Sequence, residues 1–141
     1  MNISDGVDAV AVHQIETKVG EYIRDNYKSA VEIGFGGKTT AAEIVQNAGH
    51  PILCTDVHSY AGAAVPAVVD DVFLPTLTCY AGADVLYAIR PGTEIIPPMI
   101  ELARRINADL IVYHLGFELY EDGGERLNAK GIQLHRYVKR S

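Results

Sequence analysis

Val31-Glu32-Ile33-Gly34-Phe35-Gly36-Gly37-Lys38-Thr39-Thr40 is the stretch on which the fold turns. A short β-branched run enters a glycine-rich turn. The turn leads into a helix, because Thr40-Ala41-Ala42-Glu43 has the spacing of a capping box. Strand, glycine turn and helix N-terminus together are how an open α/β sheet makes a ligand site. Glycines let the backbone approach a ligand, and the free amides of the first helical turn face it. No second glycine loop of this kind follows, so one such site is expected.

Working outward, the pattern alternates helix and strand. Upstream, Ser4 or Asp5 can cap a helix of roughly Val7 to Asn26, with Val12, Ile15, Val19, Tyr22 and Ile23 along one face. Ala30 to Ile33 is the first strand. The helix from Thr40 turns Ala41, Ile44, Val45 and Ala48 inward and stops at Gly49. Pro51 to Thr55 is a second strand that ends at Asp56, and Val57 to Pro66 reads as loop. Ala67 to Val69 is a third strand, closed by Asp70-Asp71, and Pro75 to Tyr80 suits a single helical turn. Asp84 to Ile89 is a fourth strand, broken by Arg90-Pro91-Gly92. A helix begins between Thr93 and Pro98, with Met99, Leu102, Ala103 and Ile106 as its inner stripe. Asp109 to Leu115 is a fifth strand, Asp122-Gly123-Gly124 a turn, and Ile132, Leu134 and Val138 mark a final strand with one wet face.

Continuous apolar strands separated by helices mean a parallel sheet covered on both faces. Right-handed crossovers give the order 3-2-1-4-5, an α/β Rossmann-like open sheet. The helices from Thr40 and from about Thr93 are expected on opposite sides of the sheet or its two halves, and the last strand as an antiparallel C-terminal edge. Residues 1–141 form a single domain of a size that supports a real core.

Composition sets milder bounds. The net charge of −6 disfavours nucleic acid as a partner. The one basic cluster, Lys130, Arg136, Lys139 and Arg140, reads as a solvated tail. Cys54 and Cys79 lack metal-site spacing and read as reduced thiols. No apolar run is long enough to span a membrane, and the N-terminus lacks the pattern of a signal peptide. A cytoplasmic protein acting on a small molecule is expected, with a protein partner as the other option.

Ligands of such sheets bind beyond the carboxyl ends of the strands, at the switch point between the first and fourth. The groups there are Glu32 with the glycine loop, Asp56 with His58, Asp70-Asp71, Arg90, and His114 with Glu118. His50 lies at the opposite edge, and His13 and His135 have no evident partners. Three chemistries compete. A P-loop needs glycine where Glu32 stands, and a carboxylate there would enter the phosphate cradle, although Gly37-Lys38-Thr39 supplies the end of the motif. A dinucleotide fingerprint needs glycine at Thr39, although Gly34-Phe35-Gly36 is present and Asp56 is well spaced for a ribose. The third is what a resemblance of the glycine motif implies: S-adenosylmethionine carries an ammonium and a sulfonium and no phosphate, so Glu32 would help where it would repel a pyrophosphate.

Glu32-x-Gly34-x-Gly36 resembles the first motif of class I S-adenosylmethionine-dependent methyltransferases. That resemblance implies contacts to the cofactor from Glu32, Gly34 and Gly36. It assigns Asp56 to the ribose hydroxyls and Asp70 or Asp71, the latter favoured, to the adenine amine. The whole chain is also similar to uncharacterised protein family (UPF) 0146 of archaea. The similarity lies in the N-terminal helix, Glu32 to Gly36, Thr55-Asp56, Asp70-Asp71 with Pro75, Tyr87-Ala88-Ile89-Arg90-Pro91 and Ala108-Asp109-Leu110. It implies the fold and no reaction. Two departures from methyltransferases stand out. The fourth strand ends Ala-Ile-Arg-Pro, not Asn/Asp-Pro-Pro-aromatic, and little chain follows the fifth strand to cap an acceptor.

Catalytic residues are not evident, although methyl transfer can run on positioning alone. Arg90, His58 and His114 are the substrate contacts that location suggests, Arg90 for an anionic acceptor. His58 and His114 with Asp56 or Glu118 form no known metal-ligand pattern. The bland alternatives stay open. The glycine turn can be a tight corner of an empty domain, Asp56 and Asp70 can cap short helices, and Arg90 can pair with Asp71 or Glu94. An interaction module would use Tyr60, Tyr80, Tyr87 and Tyr113 as contact aromatics.

Overall fold

The computed structural model describes residues 3–116 and 118–141, with side chains described from residue 11 onward except Val12 and Phe117. Helix α1 (Ile3–Asn26) leads to β1 (Ala30–Ile33), α2 (Thr40–Asn47), β2 (Ile52–Asp56) and β3 (Ala67–Val69). Then come β4 (Val85–Ile89), α3 (Ile96–Ile106), β5 (Asp109–Tyr113), β6 (Glu125–Ala129) and β7 (Ile132–Val138). Single 3-10 turns cover Leu77–Cys79 and Thr93–Ile95. The seven strands form one sheet in the order β3-β2-β1-β4-β5-β7-β6. Strands β1 to β5 pair in parallel, and β7 runs antiparallel to both β5 and β6.

Alternation along each strand divides the core in two. Ala30, Ile52, Cys54, Val85, Tyr87 and Ile111 face α1 and α2, packing on Val19, Ile23, Ala41, Ala42 and Val45. Val31, Ile33, Leu86, Ala88, Leu110 and Val112 face α3, packing on Ile96, Met99, Leu102 and Ala103. The helices from Thr40 and Thr93 thus lie on opposite faces, as the crossover rule requires. Each fully buried aliphatic side chain here contributes about 1.5–3 kcal/mol of transfer free energy. Helix α1 seats against α2 because Gly20 has no Cβ: one would lie 2.8 Å from the Cα of Ala41. Pro97 and Pro98 sit in the first turn of α3, where a missing amide costs nothing, and Asn107 closes it in the left-handed conformation.

Several local expectations are corrected. Helix α1 begins at Ile3, so Ser4 and Asp5 lie within it and neither is its cap; their side chains, and Val12's, are outside those described. The capping box does not form. Thr39 is the N-cap and its hydroxyl bonds the Glu43 carboxylate at 2.8 Å. Ala42 is buried in α2 and Ala48 is exposed, because the helix is seated one position round from the expected stripe. Strand β5 stops at Tyr113. The antiparallel C-terminal strand is present, but β6 takes the edge outside it. Only Leu127 and Ala129 are apolar in β6, so its pattern is weak. Five register pairs with β7 hold it in place, closed by a turn at Lys130-Gly131 with both residues at positive φ.

Candidate functional site

The glycine loop leaves β1 at its carboxyl end. Gly34, Gly36 and Gly37 have φ of 69°, 62° and 78°, a region that side chains strain to enter. The loop is tied to β2. The Gly34 amide donates to the Thr55 carbonyl at 2.8 Å and the Gly36 amide to Asp56 Oδ2 at 2.9 Å. Asp56 Oδ1 accepts the His58 amide, also at 2.9 Å. One carboxylate therefore fixes both loops, and each of its oxygens keeps a second lone pair. Phe35 is buried and meets the edge of Tyr60, with ring centroids 5.1 Å apart. Gly37 lies under the Tyr60 ring, where a Cβ would come within 2.7 Å. A Cβ at Gly34 or Gly36 would meet nothing within 4 Å, so these two glycines are required by backbone conformation and border open space.

The space at Gly34 belongs to a cavity of about 330 Å³, which Gly36 does not line. Gly34, Asp56, Asp70, Asp71, Phe73 and Glu94 are among the residues that line it, with Val57 and Val72 as apolar walls. Asp70 accepts the Tyr80 hydroxyl at 2.6 Å and the Thr76 amide, and Asp71 accepts the Phe73 amide. Four carboxylates line the cavity, and no Lys, Arg or His does among the described residues. Lys38 and His58 are exposed outside it. Another cavity, about 310 Å³, lies at the amino ends of the strands near Ser29, Pro51 and Gly82, away from the glycine loop.

Glu32 does not line this cavity. It points to the α1 face of β1 and is 3% exposed. The Tyr87 hydroxyl donates to its Oε1 at 2.8 Å. Burial raises its pKa to about 8, against the pull of that hydrogen bond; Glu16 adds to the rise and Arg90 opposes it. Glu32 is thus mostly neutral at pH 7, where the sequence suggested a charged carboxylate. Arg90 pairs with neither Asp71 nor Glu94. It has φ of 53° and donates to Glu16 of α1 at 3.0 Å, and both side chains are largely buried. The sequence held no signal for this pair, since Glu16 lies 74 residues away.

His114 and His135 come together, with ring centroids 5.0 Å apart. Both are buried, and His135, expected at the surface, bonds the Gly123 carbonyl at 2.7 Å. Glu118 is exposed. Among the described residues no three His, Cys, Asp or Glu side chains are placed to hold a metal ion. Tyr80 and Tyr87 are core residues with carboxylate partners, whereas Tyr60 is exposed. Glu94, Val57, Val72 and Phe73 are among the lining residues that sequence reasoning missed; no motif marks them.

Solved structures share this architecture. The O-methyltransferase TomG from Streptomyces achromogenes, in complex with SAM, is similar over 70% of this chain and 54% of its own, at 15% identity and a TM-score of 0.55. A SAM-dependent methyltransferase from Archaeoglobus fulgidus is similar over 75% of this chain and 54% of its own, at 11% identity and a TM-score of 0.58. The [4+2]-cyclase SpnF is similar over 81% and 48%, at 18% identity and a TM-score of 0.58. The chain thus spans about half of each, and the likeness is one of fold. In sequence, a UPF0146 protein of Archaeoglobus fulgidus is 32% identical over 84% of this chain and 91% of its own length. One of Pyrococcus horikoshii is 33% identical over 76% and 86%. Residues 12–139 match the Uncharacterised protein family (UPF0146), and the chain belongs to that family.

Proposed function

We propose that the cavity beside the glycine loop binds S-adenosylmethionine or its demethylated product. The observation that carries this reading is the lining of Asp56, Asp70, Asp71 and Glu94, with no cationic side chain lining the cavity among the described residues. A phosphate ligand would meet uncompensated repulsion there, and a molecule with an ammonium and a sulfonium meets attraction. Asp56 has lone pairs left for a ribose diol, Asp71 would take the adenine amine, and Val57 and Phe73 supply apolar walls. Gly34 and Gly36 keep the loop open to the ligand. Glu32, on the far face of β1, backs the loop rather than lining the cavity. The bound cofactor would supply an electrophilic methyl group. The fold shared with methyltransferases supports the reading, and the fold shared with a cyclase shows that it does not dictate the chemistry.

A second reading, an interaction module, draws on apolar exposure at the β3 edge: Val69 is 59%, Phe73 61% and Leu74 83% exposed. Calorimetric titration of the full chain with S-adenosylmethionine, S-adenosylhomocysteine, NADP and ATP separates the two. Saturable binding of the first pair and none of the second is expected. Tighter binding of NADP or ATP would overturn the cofactor reading, and no binding by any would favour the interaction module.

A further inference from the structure

Between the carboxyl end of β5 and the start of β7 lies a cavity of about 450 Å³ that the reading above leaves unused. Tyr113, His114, Leu119, Gly131, Gln133 and His135 line it, and no charged side chain does among the described residues. Its two imidazoles have their protons assigned by their partners. The Tyr137 hydroxyl accepts the Tyr120 amide at 3.2 Å, and among the described hydrogen bonds the acceptor within reach of its own proton is His114 Nε2, 2.6 Å away. His114 is then neutral, with its proton on Nδ1. Burial, and the nearby His135, push its pKa down to about 4, so the ring stays uncharged at neutral pH. His135 donates from Nδ1 to the Gly123 carbonyl, and its Nε2 faces the Gln133 amide nitrogen at 3.5 Å. Among the described residues, His114 Nδ1 is the one ring nitrogen of the pair without a partner.

We propose that this cavity binds an uncharged ring compound whose carbonyl oxygen accepts the His114 Nδ1–H. An ion would find no counter-charge in this lining. The Tyr113 ring and Leu119 give a ring compound apolar surface, and Gln133 offers a second polar contact at the rim. Because β7 runs antiparallel to β5, its first residues lie at the carboxyl end of β5, on the same edge of the sheet as the glycine loop. Only β4 separates β1 from β5, a span of about 10 Å. The binding does not rest on the S-adenosylmethionine reading.

The test uses the isotopically labelled full chain and three probes of one size: benzamide, benzoate and benzylammonium. NMR titration follows the backbone amides of Gly131 and Gln133 and the His114 Nδ1 resonance. Benzamide should shift all three saturably, and the charged probes should bind at least tenfold more weakly. His114→Phe should weaken benzamide at least fivefold. Gln133→Phe, at an exposed position, should block the cavity without touching the His114–Tyr137 pair. Charged probes that bind as well as benzamide, binding unchanged in both variants, or no shift at these residues would overturn the proposal. S-adenosylmethionine is titrated separately, and its failure to bind would leave a positive benzamide result standing.

Discussion

Glu32→Gln isolates the energetic consequence of one buried carboxyl. The native state holds the Glu32 proton up to about pH 8, whereas an unstructured chain releases it near the ordinary value of 4.5. Between these limits the folded protein binds more protons than the unfolded one, so stability falls as pH rises. The contribution is intact below pH 4.5, is lost progressively through pH 8, and levels off above. The whole span is worth about 5 kcal/mol, and the part between pH 5 and pH 7 about 2–3 kcal/mol. Glutamine keeps a carbonyl to accept the Tyr87 hydroxyl and never ionises. Urea unfolding followed by circular dichroism should therefore show the variant gaining on the parent by about 2–3 kcal/mol from pH 5 to pH 7. Glu16 and Arg90, the other charged groups of this cluster, are present in both proteins, so the difference between them reports Glu32. A constant difference across this range, or a parent that gains on the variant as pH rises, would refute the burial argument.

Asp56→Ala removes the acceptor of two loop amides and should cost about 1–3 kcal/mol of stability, with at least a tenfold loss of S-adenosylmethionine affinity. A melting temperature and a titration both equal to the parent's would count against its double role. Gly36→Val meets open space, so only backbone strain of about 1–2 kcal/mol is expected, whereas Gly37→Ala also strikes Tyr60. Replacing Tyr60 with Leu should recover part of the Gly37→Ala loss and none of the Gly36→Val loss in thermal unfolding. Arg90→Met leaves Glu16 buried without its partner and should destabilise by about 3–5 kcal/mol, and adding Glu16→Leu should return most of it. A double variant no more stable than Arg90→Met would show that the pair is not the source of the loss.

The fold was legible because its signals are periodic and local. Short apolar runs such as Val85 to Ile89 and the stripe Met99, Leu102, Ala103 can be read without knowing their neighbours, and the handedness of crossovers then orders the strands. Strand β6 escaped because Glu125-Arg126-Leu127-Asn128-Ala129 owes its conformation to β7, not to its own pattern. The capping box failed for a related reason. Two adjacent threonines offer the same chemistry, and packing of Ala41 and Ala42 against the core placed the helix start one residue earlier than the motif implied.

The site divides along the same line. Which residues close the strands can be counted from the sequence, and Gly34, Asp56 and Asp71 do border one cavity. What cannot be counted is which face of a strand a side chain takes when the strand's end is near, and what waits for it there. Glu32 shows the consequence. It belongs to the loop's motif by spacing, yet its position two residues before Gly34 turns it beneath α1, where Tyr87 and Glu16 surround it. There it is a proton carrier at neutral pH, not a fixed negative charge. In the proposed reading, the carboxylates that favour a sulfonium ligand over a phosphate one are therefore Asp56, Asp70, Asp71 and Glu94, gathered from three separate loops. A motif names a carboxyl group; for Glu32, burial decides that the group holds its proton.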